Sequence, residues 1–240
     1  MKKRTVELVM APPETHWVGD GFRVHNFIPG HLEMELMTPF ILLDYNSKYT
    51  FEPSERPLGV GVHPHRGFET VTIAYKGRVE HHDSHGGGGI IGEGDVQWMT
   101  AAGGVLHKEY HEKEWSRQGG EFQMVQLWVN MPAADKMSQP KYQAITNAMM
   151  GKVQLADGKG TVEVIAGEYD GVRGSASTFT PIHLYNLRLK RGGKVGLSFP
   201  AEYNTGLLVI EGSVRVNGEE APTDHFVLMA NDGEAFEVEA

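Results

Sequence analysis

Two short alternating motifs carry the candidate chemistry of this chain, His63-Pro64-His65 and His107-Lys108-Glu109. A β-strand sends every second side chain to the same face. Read as strands, each motif aims two ligand-type side chains in one direction. Brought together, they offer three imidazoles and one carboxylate, His63, His65, His107 and Glu109, to a single ion. Imidazole nitrogen with carboxylate oxygen suits iron, manganese, nickel, copper or zinc. A metal whose coordination sphere is only partly filled by protein can bind and activate small molecules. Pro64 has no N–H to give to a ladder, so the first motif belongs at an edge, a strand start or a bulge.

Other residues compete for the same role. Glu69 follows His65 by four positions, and His111 is in phase with His107 and Glu109. His81, His82 and His85 cluster beside the glycines 86–89 and read as solvated hairpin residues. The glycine run lacks the Lys-Ser or Lys-Thr and the helix start that a phosphate loop requires. Trp98, Phe68 and Met99 read as core, with the wall of a flat aromatic pocket as the alternative. Arg66 reads as a surface ion pair or a holder of an anionic substrate.

These motifs need strands to position them, and strand signals dominate. Residues 68–75, 78–82, 96–100, 105–107 and 122–130 are apolar, β-branched or aromatic runs separated by Gly-rich turns. The stretch 132–150 is polar, with Pro132 and Pro140, and reads as a linker with one short helical piece around 142–150. Strand runs then restart at 161–166, 183–189, 206–211 and 213–216, with Asn217-Gly218 as a hairpin turn. The reading is an all-β chain with an N-terminal module over 1–131 and a C-terminal one over 151–240. A barrel with a ligand-lined interior is the natural host for the metal motifs.

Composition narrows the function classes. The 240 residues suffice for one large domain or two small ones. The formal net charge of −9 disfavours direct nucleic-acid binding, which rests on Lys and Arg. The one basic run, Lys2-Lys3-Arg4, lies at an end expected to be loose. Without cysteine there are no disulfides, thiolate zinc sites or cysteine nucleophiles. No signal-peptide core or membrane-length apolar stretch occurs, so no membrane partner and a cytoplasmic location are expected.

At four segments the chain resembles the pirin family of the cupin superfamily. They are His63-Pro64-His65-Arg66-Gly67-Phe68-Glu69-Thr70-Val71, the run 94–101 containing Gln97-Trp98-Met99-Thr100, Gly104-Val105-Leu106-His107-Lys108-Glu109, and Gln126-Leu127-Trp128-Val129-Asn130. The resemblance is dense in the N-terminal half and looser over 150–240. It implies a bicupin, two stacked antiparallel β-barrels, with mononuclear iron, Fe(II) or Fe(III), in the first. It implies His63, His65, His107 and Glu109 as ligands, with Glu69, the ligand of the wider cupin pattern, left out. The second barrel is expected to be metal-free, since only His183 and His225 remain there. Pirin-like chains continue past the equivalent of Ala240 with a strand, a Gly-Glu-Pro segment and a helical tail. The expectation here is therefore a shortened second barrel with an open edge strand.

Similarity to quercetinase pirins implies oxidative cleavage of a flavonol with dioxygen, with Glu109 as a catalytic base. The alternative implied by the same family is an iron-binding regulator acting through a protein partner. A third reading is a metabolic cupin, such as an isomerase, using another divalent transition metal.

Overall fold

The computed structural model describes all 240 residues. Strand makes up 54% of the chain and helix 5%, the all-β architecture that the alternating pattern requires. The N-terminal half folds into two antiparallel sheets. The larger has seven strands in the order Lys141–Ile145, Val96–Thr100, Phe68–Lys76, Gly120–Asn130, Phe40–Phe51, Phe22–Ile28 and Thr15–Val18. The smaller has four, in the order Gly59–His65, Val105–His111, Val79–Asp83 and Gly88–Ile91. The sheets pack face to face as a cupin sandwich and are not closed barrels, because the hydrogen-bonded ladder does not continue from one sheet into the other.

Two-residue periodicity decides what each face of the large sheet does. Val71, Ile73, Val125 and Leu127 point one way and join a cluster of 20 buried residues that includes Ile165, Ile182, Phe226 and Leu228 of the C-terminal half. Thr70, Thr72, Gln126 and Trp128 point the other way, into the sandwich. Both faces are covered, so Val96–Thr100 is buried at every position. Each fully buried aliphatic side chain stabilises by roughly 1.5–3 kcal/mol, so this apolar layer is the main bond between the halves.

A polar clasp sits beside it. Tyr45 Oη donates to Asp224 Oδ1 at 2.6 Å, and Gln123 Nε2 donates to Tyr45 Oη at 2.8 Å. Tyr45→Phe removes both bonds and leaves Gln123 short of a partner. Its expected cost is about 1–2 kcal/mol in urea unfolding. A loss below a few tenths of that would show that the clasp is incidental.

The C-terminal half contains two three-stranded sheets, a four-stranded sheet and a two-stranded ribbon. Its own core is built from Val162, Val164, Val195, Leu197, Val227 and Phe236. The hairpin Ser213–Val216 to Glu219–Pro222 turns through Asn217 (φ 52°) and Gly218 (φ 91°), the paired left-handed residues of a tight hairpin turn.

Several expectations need correction. The stretch 142–150 is not helical. Lys141–Ile145 is a strand captured by the free edge of Val96–Thr100, and Asn147–Met149 is a single 3-10 turn. The division at 131 is therefore crossed by a strand, and again by Val6–Met10, which pairs with Phe226–Met229 at the far end of the chain. The last strand, Ala235–Glu239, is interior to a four-stranded sheet whose edges are Lys194–Ser198 and Glu219–Pro222. It lies between Lys194–Ser198 and Ser213–Val216. The α-helix Lys113–Gln118, absent from the sequence reading, starts where the Glu112 carboxylate accepts from the Glu114 and Trp115 amides. No helix is long and apolar enough to cross a membrane.

Candidate metal centre

The two motifs meet as adjacent antiparallel strands. His107 pairs directly with His63, and Val105 with His65. Gly59–His65 is the edge strand of its sheet, and its register shifts between the pairs His107–His63 and Glu109–Val60. Pro64 thus sits where a missing N–H is tolerated. Ring centroids lie 4.2 Å apart for His63 and His107, 4.6 Å for His65 and His107, and 4.8 Å for His63 and His65. Ligand atoms of the three rings all fall within 4.8 Å of one another.

Glu109 does not join that trio directly. Its carboxylate forms a second grouping with His107 and His81, so His107 belongs to both. Glu109 Oε1 accepts from Gln97 Nε2 at 3.3 Å, and the single hydroxyl proton of Thr72 has two acceptors in reach, Gln126 Oε1 at 2.6 Å and the more distant Glu109 Oε1 at 3.5 Å.

Burial sets the charge states. It pushes the Glu109 carboxyl up to about 7, with the Gln97 and Thr72 hydrogen bonds opposing. Burial, helped by the neighbouring imidazoles, pulls His107 down to about 2 and His65 down to about 4. At neutral pH these rings are uncharged and carry a free lone pair, the form that binds a metal. His63 Nδ1 lies 2.8 Å from the Gly61 carbonyl, which can only accept, so Nδ1 holds the proton and Nε2 is the free nitrogen. The buried His107 Nε2 has no hydrogen-bond partner. Unpartnered imidazole nitrogen beside two more imidazoles and a buried carboxyl is a donor set suited to a transition metal.

The competing residues separate cleanly. Glu69 is fully buried, but on the opposite face of the large sheet, where Thr100 Oγ1 donates to it at 2.7 Å. His111 shares the inward face yet is enclosed by Phe22, Phe51, Trp115 and Phe122, with Nε2 donating to the Gly21 carbonyl. His82 and His85 are exposed, as expected for hairpin residues. His81 is not. It is fully buried, with Nε2 2.8 Å from His107 Nδ1. The solvated reading fails for His81 because Val79–Asp83 alternates, and position 81 shares the inward face with Glu109, its paired residue.

Sequence reasoning missed a further set. Gln97, Thr72, Gln126, Asp44 and Asn26 occupy consecutive paired positions across five strands of the inner face. Asn26 Nδ2 donates to Asp44 Oδ1 at 2.6 Å, and burial raises the Asp44 carboxyl. The available signal was polar residues alternating with apolar ones, as in Thr70-Val71-Thr72-Ile73. Phe68 and Trp128 stack at 4.4 Å, with Trp128 5.0 Å from His65, so this aromatic pair borders the imidazoles. Trp98 and Met99 are core residues, and Arg66 is exposed, donating to Met137 Sδ.

Comparison with known proteins follows the same lines. A family model described as Pirin matches residues 21–129, the region that holds every residue of the centre. A Pseudomonas aeruginosa relative named "Putative quercetin 2,3-dioxygenase" is 45% identical over 225 residues, covering 94% of this chain and 79% of the relative. Human Pirin is 34% identical over 225 residues, covering 92% of this chain and 73% of that protein. The crystal structure of a quercetin 2,3-dioxygenase from Acinetobacter baumannii superposes with a TM-score of 0.93 at 43% identity, over 100% of this chain and 83% of that one. A bacterial pirin from Escherichia coli solved in complex with nickel(II) shares the fold, with a TM-score of 0.73 at 21% identity over 97% of this chain and 93% of that one. Relatives more than 30% identical over nine-tenths of this chain, together with the Pirin match over the residues of the centre, show that the chain belongs to the pirin family.

Proposed function

We propose that the protein is a mononuclear iron oxygenase that cleaves a flavonol such as quercetin with dioxygen, its metal held by His63, His65, His107 and Glu109. The observation that carries this reading is the convergence of the three imidazoles of His63, His65 and His107 within reach of one ion, with a buried carboxyl sharing His107. The names of the similar proteins from Pseudomonas and Acinetobacter support the choice of substrate.

A bound iron would supply a Lewis acid that lowers the pKa of a coordinated hydroxyl, and a redox centre for dioxygen. The protein supplies the rest. The stacked Phe68 and Trp128, both partly exposed, offer a flat apolar face beside His65 for a planar ring. Glu109, whose Oε1 accepts from Gln97 Nε2, would take the proton of the flavonol 3-hydroxyl. The surrounding buried residues keep bulk water from Glu109.

The test compares quercetin decay by iron-loaded protein under air and under anaerobic conditions. Oxygen-dependent loss well above that of free iron is expected. Equal rates for protein and free iron would remove the dioxygenase reading.

A second reading is favoured by the outer face of the same strand pair. Val62 and Leu106 are 67% and 49% exposed, and Leu106 pairs with the exposed Pro64. These apolar residues lie back to back with the ligands, so a partner docked there would sense the metal. Capture of a partner that depends on Fe(II) against Fe(III) would support this regulator role, and capture indifferent to oxidation state would count against it.

A further inference from the structure

The innermost polar contact of the site joins two histidines. His81 Nε2 and His107 Nδ1 are 2.8 Å apart, and both rings are almost completely shielded from solvent. Neither of the outer nitrogens, His81 Nδ1 and His107 Nε2, has a hydrogen-bond partner. One proton lies between the inner pair, and its owner decides what His107 can do. If His81 Nε2 donates, neutral His107 carries its own proton on Nε2 and has no lone pair there. If His107 Nδ1 donates, Nε2 is a free lone pair and His81 carries its proton on Nδ1. The two tautomers are locked together.

His63 meets the same requirement through the main chain, because the Gly61 carbonyl leaves Nε2 as its free nitrogen. His107 has no such carbonyl and uses His81 instead. His81 is itself held firmly. Its residue pairs with Glu109 across the ladder, and its ring stacks on Tyr142 at 5.4 Å with planes 2° apart. Tyr142 comes from Lys141–Ile145, the strand that the sequence presented as linker. On the other side the backbone comes close. A Cβ at Gly88 would stand 2.5 Å from the His81 carbonyl oxygen, so only glycine lets the strand Gly88–Ile91 lie there.

We infer that His81 is a positioning residue that accepts the His107 Nδ1 proton and so presents His107 Nε2 to the ion shared with His63 and His65. The inference rests on the metal reading above. His81 does not ligate the ion, because its inward nitrogen is engaged by His107. Outer partners of ligand histidines fix the tautomer and ring orientation in this way, and their loss weakens metal binding.

The test titrates wild type, His81→Gln and His81→Leu with Cu(II) and records affinity together with the nitrogen hyperfine pattern by electron paramagnetic resonance. Glutamine places an amide oxygen near the position of Nε2 and can accept the same proton, whereas leucine cannot. Wild type is expected to take one Cu(II). His81→Gln is expected to keep the wild-type pattern and bind within a few-fold, and His81→Leu to bind about 10–100-fold more weakly. Undiminished binding by His81→Leu, or an equal loss in both variants, would overturn the positioning role. Wild type that takes up no Cu(II) would overturn the metal reading itself, and this inference with it.

Discussion

His107→Ala is expected to abolish metal uptake, and Glu69→Ala to leave it close to wild type. His107 is the only residue shared by the histidine trio and the grouping that contains Glu109, so its removal dismantles both. Losing an outer partner of a ligand costs about 10–100-fold in affinity, and loss of this ring should exceed that range. His63→Ala and Glu109→Ala should also lower occupancy sharply, since each removes a donor from one grouping only. Glu69 is the control, because it too is buried yet faces the apolar layer between the halves. Elemental analysis of protein loaded with Fe(II) and desalted reads the result directly. Equal occupancy in all four variants would mean that the ion is held elsewhere.

Arg4→Leu is expected to cause the largest loss of stability of any single change at the chain termini. The Arg4 side chain is fully buried and donates to five acceptors: the carbonyls of Gly233, Tyr203, Pro200 and Ala201 and the Thr205 hydroxyl. Desolvation lowers its pKa, with Asp232 and Glu202 opposing, and the guanidinium remains a cation at any ordinary pH. Leucine fills part of the space and leaves buried carbonyls without donors, each costing about 1–3 kcal/mol unless water reaches it. The net expectation is about 3–5 kcal/mol and a fall in Tm of roughly 10 °C or more. Arg4→Lys, with a charge but without the planar fork, should fall between. A shift of less than a degree or two in Arg4→Leu would show that the network contributes little.

Arg4 also shows where reading along the chain fails. Lys2-Lys3-Arg4 looks like a loose basic tail because three cations at a terminus normally stay in water. Here Arg4 N donates to the Ala235 carbonyl, and the Glu234 and Ala235 amides donate back to the Lys2 carbonyl. Those partners lie more than 200 residues away, and nothing local announces them. Lys141–Ile145 is hidden from a local reading for a related reason. Its residues are mixed and polar, and only the unpaired edge of Val96–Thr100 makes a strand of them.

The alternation of residues was enough to specify which side chains travel together. Positions 63 with 65, 107 with 109, and 70 with 72 each share a face because the pleat of a strand repeats every two residues. The all-β class and the shared faces of the histidine motifs followed from that rule, and the cupin resemblance from the motifs themselves. Alternation does not say which of the two faces looks into the sandwich, nor which strand lies beside which. Glu69 and Glu109 are indistinguishable by spacing, and the stacking of the C-terminal half on one face of the large sheet is what separates them. His81 could be placed beside His107 only by the antiparallel register between Val79–Asp83 and Val105–His111, a long-range pairing settled by the packing of the whole sheet.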